Sequence, residues 1–260
     1  MTEGNPIVYK KTLSGEADIV QREVMEEAFT KTQDCIDSYK KLPASHNGMF
    51  INADLFKEIF TKYSNSPEAR KKYDLSVHNS SAWLSQKLFE QMIDDPSIKG
   101  CIFLTGVPGA GKTIYIQSLF NAGKVPKGYI VYEGNICNIP ATSAKIQMLK
   151  DRGKEVLIQV LSADVDLAYE NVLERESDCG RGATIQTIAY IISSIKPAIL
   201  QLNEMFDIDE IGVIFKYEDN QMDYGTNGIE DVKRMPDYNR EWVVSYLKAK
   251  IEISEREQQL

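Results

Sequence analysis

A glycine-rich segment that ends in lysine and threonine is the part of this sequence best suited to chemistry. It follows the apolar run 101–104, precedes the helix-like stretch 114–120, and consists of Gly106, Val107, Pro108, Gly109, Ala110, Gly111, Lys112 and Thr113. In such a loop the glycines let backbone N–H groups point at phosphate oxygens, the lysine reaches the β- and γ-phosphates, and the hydroxyl ligates Mg²⁺. The segment therefore predicts a P-loop (Walker A) site for ATP or GTP with Mg²⁺, and it leaves the reaction open.

Two acidic residues follow predicted strands, where phosphoryl transfer would place a general base. Asp54 comes just after the short apolar run 49–51, and Glu133 follows the run 129–132. Because the carboxyl ends of parallel strands meet at one edge of a sheet, both carboxylates are expected near the phosphate-binding loop. Each also has a structural interpretation, since an acidic residue at such a place often caps the following helix.

Two arginines flank a polar break at the end of a predicted helix. Arg175 lies in the last turns of that helix, and Arg181 follows it in a Gly/Asp-rich stretch. A guanidinium beside a nucleotide stabilises charge on the phosphoryl group during transfer, although most arginines are ordinary surface residues. Together with the loop and the acids, these residue types favour a kinase.

Composition limits the classes of partner. The chain has 260 residues, a net charge of -8 and a pI near 5.0. A protein that binds a polyanion needs a surface cation for each phosphate that it neutralises, so nucleic acid is not expected as a partner. The four cysteines lack CxxC spacing and there are two histidines, which indicates neither a disulfide framework nor a zinc site.

The sequence also indicates where the protein acts. No apolar run approaches the ~20 residues of a membrane helix, and the first six residues lack the basic and apolar regions of a signal peptide. We therefore expect a cytoplasmic protein that does not contact membranes, and delivery into a host cell stays open.

The elements that must position these residues alternate along the chain. Strand-like and helix-like stretches follow one another from about 49 to 217, which predicts an α/β, P-loop kinase-like fold with a mainly parallel sheet and helices on both faces. We expect an N-terminal helical extension over 1–48, a P-loop kinase domain over 49–220, and a C-terminal loop and helix over 221–260 packed on the same domain. Within this series the pattern predicts helices over 76–93 and 143–153 and a polar loop over 221–227.

Five short segments together resemble the zeta toxin family of P-loop kinases. They are 51–56 (INADLF), 77–81 (VHNSS) with its helix running through Gln86, 132–135 (YEGN), 173–176 (LERE) and 180–184 (GRGAT). The resemblance covers roughly residues 49 to 220, and its specificity lies in the combination. Zeta toxins phosphorylate a sugar hydroxyl of UDP-N-acetylglucosamine in bacteria, and relatives act on other small molecules.

The resemblance implies a role for each candidate residue. Asp54 would be the general base, Lys112 and Thr113 the phosphate and Mg²⁺ contacts, and Arg175 and Arg181 the cations of the transition state. The acceptor site would be lined by Gln86, Glu133 and Asn135. The family usually has an acid where Gln86 stands and a threonine where Asn135 stands, which leaves the acceptor open.

The order of the segments departs from the family pattern. In zeta toxins the strand that bears the aspartate follows the P-loop helix, whereas here Asp54 precedes Gly106. A circular permutation would produce this order and would keep the geometry, because packing rather than chain order fixes sheet neighbours. In the alternative, the match at Asp54 is accidental and Glu133 has the main acidic role.

These observations predict a small-molecule kinase that uses ATP or GTP. UDP-N-acetylglucosamine is the leading acceptor, and NAD or another nucleotide is the alternative. A different class of protein, a nucleotide-binding switch or ATPase, would hydrolyse the triphosphate to control a partner. An antitoxin or other inhibitory partner protein is a further expectation. In a third interpretation the amphipathic segment 14–42 forms a built-in cover of the antitoxin kind.

Overall fold

The computed structural model describes Ile7, residues 12–217 and residues 221–257, with side chains as far as residue 253. The ends of the predicted N- and C-terminal parts, and residues 218–220 of the predicted central domain, lie outside this range. In chain order the elements are α1 (Gly15–Thr30), α2 (Thr32–Lys40), β1 (Phe50–Asn52), α3 (Ala53–Phe56), α4 (Thr61–Ser64), α5 (Pro67–Asp94), β2 (Gly100–Gly106), α6 (Lys112–Asn121), β3 (Tyr129–Glu133), α7 (Ile139–Lys150), β4 (Glu155–Ala163), α8 (Val165–Cys179), α9 (Ile185–Phe206), β5 (Glu210–Lys216), β6 (Met222–Tyr224), α10 (Ile229–Arg234) and α11 (Arg240–Glu257). Single 3₁₀ turns lie at Pro43–Ser45 and Lys57–Ile59.

The described strands form one six-stranded sheet in the order β1-β3-β2-β4-β5-β6. Neighbouring strands are parallel except β6, which pairs antiparallel with β5. β1 precedes β2 in the chain but is separated from it in the sheet by β3. The connection that contains α5 therefore passes over one strand. The predicted α/β fold with a mainly parallel sheet is confirmed.

Helices cover both faces of the sheet, as predicted. Buried apolar side chains of α1, α2, α5 and α7 form the core on one face, those of α6, α8 and α11 form the core on the other, and α9 contributes to both. α9 is the one helix in the described chain long and apolar enough to cross a membrane, yet its buried residues belong to these cores. Burial of each large apolar side chain contributes about 1.5–3 kcal/mol, so this face of α9 is explained by packing.

The edge strand β1 is held from outside by α2. The Tyr39 hydroxyl accepts a hydrogen bond from the Asn52 N–H (3.0 Å) and donates one to the Phe50 carbonyl (2.7 Å). The Tyr39 ring also stacks on Phe56, with 3.7 Å between centroids. The predicted N-terminal extension therefore satisfies backbone groups that an edge strand would leave unpaired, and it supports the strand that leads to Asp54.

Two helices begin earlier than predicted because a capping residue lies upstream of the apolar pattern. α5 begins at Pro67 rather than 76, since the Ser66 side chain accepts a hydrogen bond from the Ala69 N–H and proline suits the first helical position. α7 begins at Ile139 rather than 143, where Asn138 caps the helix. Both signals are local, and hydrophobic periodicity alone does not report them.

The segment after residue 220 contains more structure than the predicted loop and terminal helix. β6 and α10 lie between β5 and α11, so the sheet extends beyond residue 220. All three residues of β6 are exposed. An exposed edge strand has no buried face and therefore no alternation of apolar and polar residues, which is why the pattern was not visible in the sequence.

Candidate active site

The predicted phosphate-binding loop connects β2 to the N-terminus of α6. Gly109 and Gly111 have φ angles of +84°, in the region that glycine adopts readily. A Cβ atom on Gly109 would lie 2.1 Å from the Ala168 carbonyl oxygen, so only glycine fits between the loop and α8. The loop therefore has the backbone geometry of an anion cradle at a helix N-terminus.

Lys112 is folded back over this loop. Its Nζ donates hydrogen bonds to the carbonyl oxygens of Gly106 (3.0 Å) and Val107 (2.9 Å). Burial lowers the pKa of the Lys112 amine, and the nearby Glu133 carboxylate opposes that shift. The amine thus lies where the loop would present a phosphate, in surroundings that favour binding of an anion.

The two predicted acids lie at the same edge of the sheet. β3 lies between β1 and β2, with Glu133 opposite Asn52 on one side and Leu104 on the other. Asp54 follows Asn52 by two residues, at the beginning of α3. Asp54 and Glu133, which stand on opposite sides of the P-loop in sequence, therefore converge at the carboxyl ends of neighbouring strands.

The cap of α3 is Asn52, not Asp54. The Asn52 Oδ1 accepts a hydrogen bond from the Leu55 N–H (2.8 Å). The interpretation of Asp54 as a helix cap is therefore wrong for this helix. The carboxylate of Asp54 stays available for other groups, and its side chain is 48% exposed.

Two cations contact the Asp54 carboxylate from different sides. Lys57 Nζ lies 2.8 Å from Oδ1, and an Arg181 guanidinium nitrogen lies 3.6 Å from Oδ2. Burial disfavours the charged carboxylate, but Lys57 first and Arg181 next outweigh it and hold the pKa of Asp54 at about 2. In the free protein Asp54 is therefore ionised across the physiological range.

Glu133 is in the opposite electrostatic situation. Burial raises the pKa of Glu133, while Lys112 and a hydrogen bond from the Asn52 side chain partly offset the shift. Its Oε2 accepts a hydrogen bond of 3.4 Å from the Thr113 hydroxyl. The environments thus push the pKa values of two neighbouring carboxyls apart, an arrangement typical of sites in which two acids have different tasks.

The predicted arginines lie where α8 ends. Gly180 caps this end with a φ angle of +74°, and the Arg175 Nε donates a hydrogen bond of 2.9 Å to the Arg181 carbonyl. Arg181 reaches Asp54 directly, whereas the hydrogen bond of Arg175 holds the backbone that carries Arg181. Both guanidinium groups are close enough to Asp54 to favour its charged form.

Gln86 and Asn135, the other two predicted acceptor contacts, have partners other than Asp54 and Glu133. The Gln86 amide donates to Glu90 (3.0 Å) and contacts the sulfur of Met148 (4.0 Å). Asn135 is exposed, and its Oδ1 accepts a hydrogen bond from the Cys137 N–H (3.0 Å). Their predicted role as acceptor contacts stays a prediction.

Sequence reasoning did not identify several residues of this site. Lys57 is one of them. The sequence shows that it lies three residues after Asp54, but it does not show that the lysine is buried. Asn171 Nδ2 donates to the Gly109 carbonyl (2.9 Å), and Lys216 Nζ would lie 3.5 Å from a Cβ atom on Gly111. Asn171 and Lys216 belong to α8 and β5, so only the packing of those elements brings them to the loop.

The residues present fit a nucleotide with Mg²⁺. Within the described chain no group of three His, Cys, Asp or Glu side chains could hold a metal ion without other ligands. Mg²⁺ at a P-loop takes most of its oxygens from phosphates and water, so the Thr113 hydroxyl at the start of α6 is a sufficient protein ligand. The glycine cradle and the adjacent Lys112 amine suit the phosphates.

No protein-family model matches the chain, and no curated protein matches its sequence. Solved structures of similar fold include one from the PezAT chromosomal toxin-antitoxin system of Streptococcus pneumoniae, with a TM-score of 0.48, 11% identity, and coverage of 90% of this chain and 97% of that chain. Another is the AvrRxo1-ORF1:-ORF2 complex with ATP, with a TM-score of 0.49, 14% identity, and coverage of 85% and 68%. These are likenesses of fold, and no activity follows from them.

Proposed function

We propose that this protein is a kinase that uses ATP or GTP with Mg²⁺ and transfers the γ-phosphate to a hydroxyl of a small nucleotide-type metabolite. The observation that carries the proposal is the convergence of Lys112, Asp54, Glu133 and Arg181 at the carboxyl ends of β1, β2 and β3. Nucleotide-hydrolysing proteins also use acidic residues and arginines beside the loop, so the labelling experiment below is what distinguishes transfer from hydrolysis.

Each residue has a task in this reaction. Lys112 and the N-terminus of α6 bind the β- and γ-phosphates, and Thr113 would hold Mg²⁺, which would supply charge neutralisation at the phosphates. Asp54 orients the acceptor hydroxyl and accepts its proton, while Arg181, held by Arg175, stabilises charge on the transferred group. Glu133 contacts the acceptor.

The low pKa of Asp54 belongs to the free protein, where Arg181 contacts its carboxylate. When Arg181 turns to the phosphate, Asp54 loses one of the cations that lower its pKa. The carboxylate then becomes a better proton acceptor at the time when the nucleotide is bound. Binding of the triphosphate thus prepares the base.

UDP-N-acetylglucosamine is the leading acceptor, and NAD or another nucleotide is the alternative. Both candidates present sugar hydroxyls, and carboxylates such as Asp54 and Glu133 accept hydrogen bonds from hydroxyl groups. The choice of the nucleotide sugar rests on the sequence resemblance, with Gln86 and Asn135 as departures from it. An antitoxin-like protein partner and a cytoplasmic location are part of the same proposal.

The test is incubation of the protein with γ-³²P-labelled ATP or GTP, Mg²⁺, and a panel containing UDP-N-acetylglucosamine and NAD. Label on the acceptor is the expected result, and mass spectrometry identifies the product. Lys112→Ala should abolish transfer while the protein stays folded, because it removes the cation from the phosphates and leaves the core intact. Release of free phosphate alone, with every acceptor left unlabelled, would instead identify a nucleotide-hydrolysing switch.

A further inference from the structure

A lysine lies almost fully buried between two aspartates beside the site. Lys57, in the 3₁₀ turn after α3, is 5% exposed, and its Nζ lies 2.8 Å from Asp54 Oδ1 and 2.6 Å from Asp74 Oδ1. Asp74 belongs to α5, so the amine connects the two elements. A buried ammonium is stable only with charged or hydrogen-bonding partners, and this one has both.

The contact with Asp74 would by itself neutralise the buried amine. The contact with Asp54 is therefore additional, and the Asp54 side chain, which is 48% exposed, also has Arg181 as a partner. The amine occupies Oδ1 of Asp54, so Oδ2 is the oxygen that faces Arg181 and the crevice. Lys57 and Arg181 thus hold the two oxygens of the carboxylate separately.

We propose that Lys57 is a positioning residue of the phosphoryl-transfer site, which fixes the orientation of the Asp54 carboxylate while Asp74 anchors the lysine to α5. The inference rests on the proposed kinase function. It assigns to Lys57 a role through Asp54, without contact between the lysine and substrate.

A purely structural role for Lys57 has a matched control in the same elements. Arg70 of α5 donates hydrogen bonds to Glu58 of the same 3₁₀ turn at 3.2 and 2.8 Å, and neither residue contacts Asp54. If Lys57 only ties the turn to α5, loss of either pair should have the same consequences. If Lys57 positions Asp54, only its loss should change the carboxylate.

The experiment compares Lys57→Met, Lys57→Arg, Asp74→Asn and Arg70→Met with the wild-type protein. Lys57→Met keeps the length of a buried side chain and should lower kcat by about 10²-fold with little change in the KM for ATP, the effect of a misplaced catalytic group. Lys57→Arg should restore part of kcat. Arg70→Met should lower the melting temperature and leave kcat unchanged.

A second readout is independent of catalysis. The ¹³C signal of the Asp54 carboxyl, assigned with Asp54→Asn, is titrated in each protein. Its pKa should rise in Lys57→Met, because a cation is lost, and stay unchanged in Arg70→Met. The charged and titratable groups that interact with Asp54 are Lys57, Tyr63, Arg175, Arg181, Lys112 and Glu133, and Asp74 lies on the other side of the Lys57 amine. If Lys57→Met does not fold, Asp74→Asn supplies the test, since release of the anchored amine should also lower kcat and shift the titration.

The outcomes separate the two proposals. If the wild-type protein labels no acceptor, the kinase function fails, while the titration still decides whether Lys57 controls Asp54. If the wild-type protein is active but Lys57→Met and Arg70→Met lose activity equally, or if the Asp54 titration is the same in both, the positioning role is wrong.

Discussion

At the scale of single residues, Asp54 and Glu133 differ in what their surroundings do to the carboxyl group. Two cations keep Asp54 ionised, whereas burial raises the pKa of Glu133. A general base acts best when its pKa lies near the working pH, so the proposed role of Asp54 requires that nucleotide binding raise its pKa. Substitution of Asp54 and substitution of Glu133 should therefore affect different kinetic parameters.

Asp54→Asn should cut kcat by roughly 10²–10⁴ while nucleotide still binds, because the amide keeps the size of the side chain but cannot accept the proton. Glu133→Gln should mainly weaken acceptor binding and leave basal triphosphate hydrolysis less affected. Steady-state kinetics on both variants, with the best acceptor found, measures the difference. Full activity of Asp54→Asn together with an inactive Glu133→Gln would show that the general base follows the P-loop in the sequence.

The acid limb of the pH profile should report Glu133. Burial raises its pKa, so its ionised form is lost as the pH falls through a value above the ordinary glutamate range, whereas Asp54 stays ionised down to about pH 2. The profile of kcat/KM reports the free enzyme, to which these pKa values belong. We expect this limb to disappear in Glu133→Gln. A limb that persists unchanged in that variant would contradict the assignment.

Arg175→Ala and Arg181→Ala should each slow transfer more than they weaken nucleotide binding. Arg181 faces Asp54 directly and Arg175 holds the Arg181 carbonyl. In the proposed mechanism the first acts on the developing charge by contact and the second through position. The loss for Arg181→Ala could reach about 10³-fold, by comparison with arginine fingers. Comparison of kcat with the nucleotide Kd tests this, and a change in nucleotide affinity alone would make them ordinary binding residues.

At the scale of elements, the site depends on the junction between α5 and the end of α8. Gly180 has a φ angle of +74°, and a Cβ atom there would lie 2.2 Å from the Pro67 carbonyl oxygen. The first turn of α5 therefore limits where the chain can leave the end of α8, and so where Arg181 lies. This close approach couples the arginine to the helix that also carries Asp74.

Gly180→Ala should lower both stability and transfer, because it adds a steric clash to the strain of a positive φ. Gly153→Ala is the matched control: its φ is +63°, and no atom lies within 4 Å of the added Cβ. The control should lose only the stability that the backbone strain costs, about 1 kcal/mol or somewhat more, and it should keep its kcat. Melting curves and kinetics on the pair provide the measurement, and equal losses in both would mean that the junction is not tight.

At the scale of the whole molecule, the N-terminal helices share a core with the sheet. Val20, Val24 and Ala28 of α1 are buried in the same cluster as the α5 and strand residues. Tyr39 of α2 completes the edge of β1. The predicted N-terminal extension is therefore integrated with the P-loop unit through packing, and the two should unfold together.

This cooperativity is measurable because the chain has two tryptophans. Trp83 on α5 contacts Phe29 of α1, while Trp242 lies on α11 and stacks with Tyr246. Trp83→Phe and Trp242→Phe each leave one tryptophan as a fluorescence reporter. Urea unfolding of each variant is followed by fluorescence and by circular dichroism. Within each variant the two methods should give the same midpoint. Two separated midpoints would identify the N-terminal helices as an independent unit.

The sequence by itself determined the glycine-rich loop between a strand and a helix, the class of fold and the strand-end positions of Asp54 and Glu133. These depend on contiguous residues, since glycine conformations and apolar periodicity act over a few positions. Only the tertiary structure decided that Asn52 caps α3, that Lys57 is buried between two aspartates, and that Arg181 reaches Asp54. The contacts with Asp74 and Arg181 join residues far apart in the chain, whereas the Asn52 cap is local but cannot be told from an Asp54 cap by residue type. Neighbouring cations lower the pKa of Asp54, and burial raises that of Glu133. Residue types and spacing in one chain cannot specify how deeply each side chain is buried.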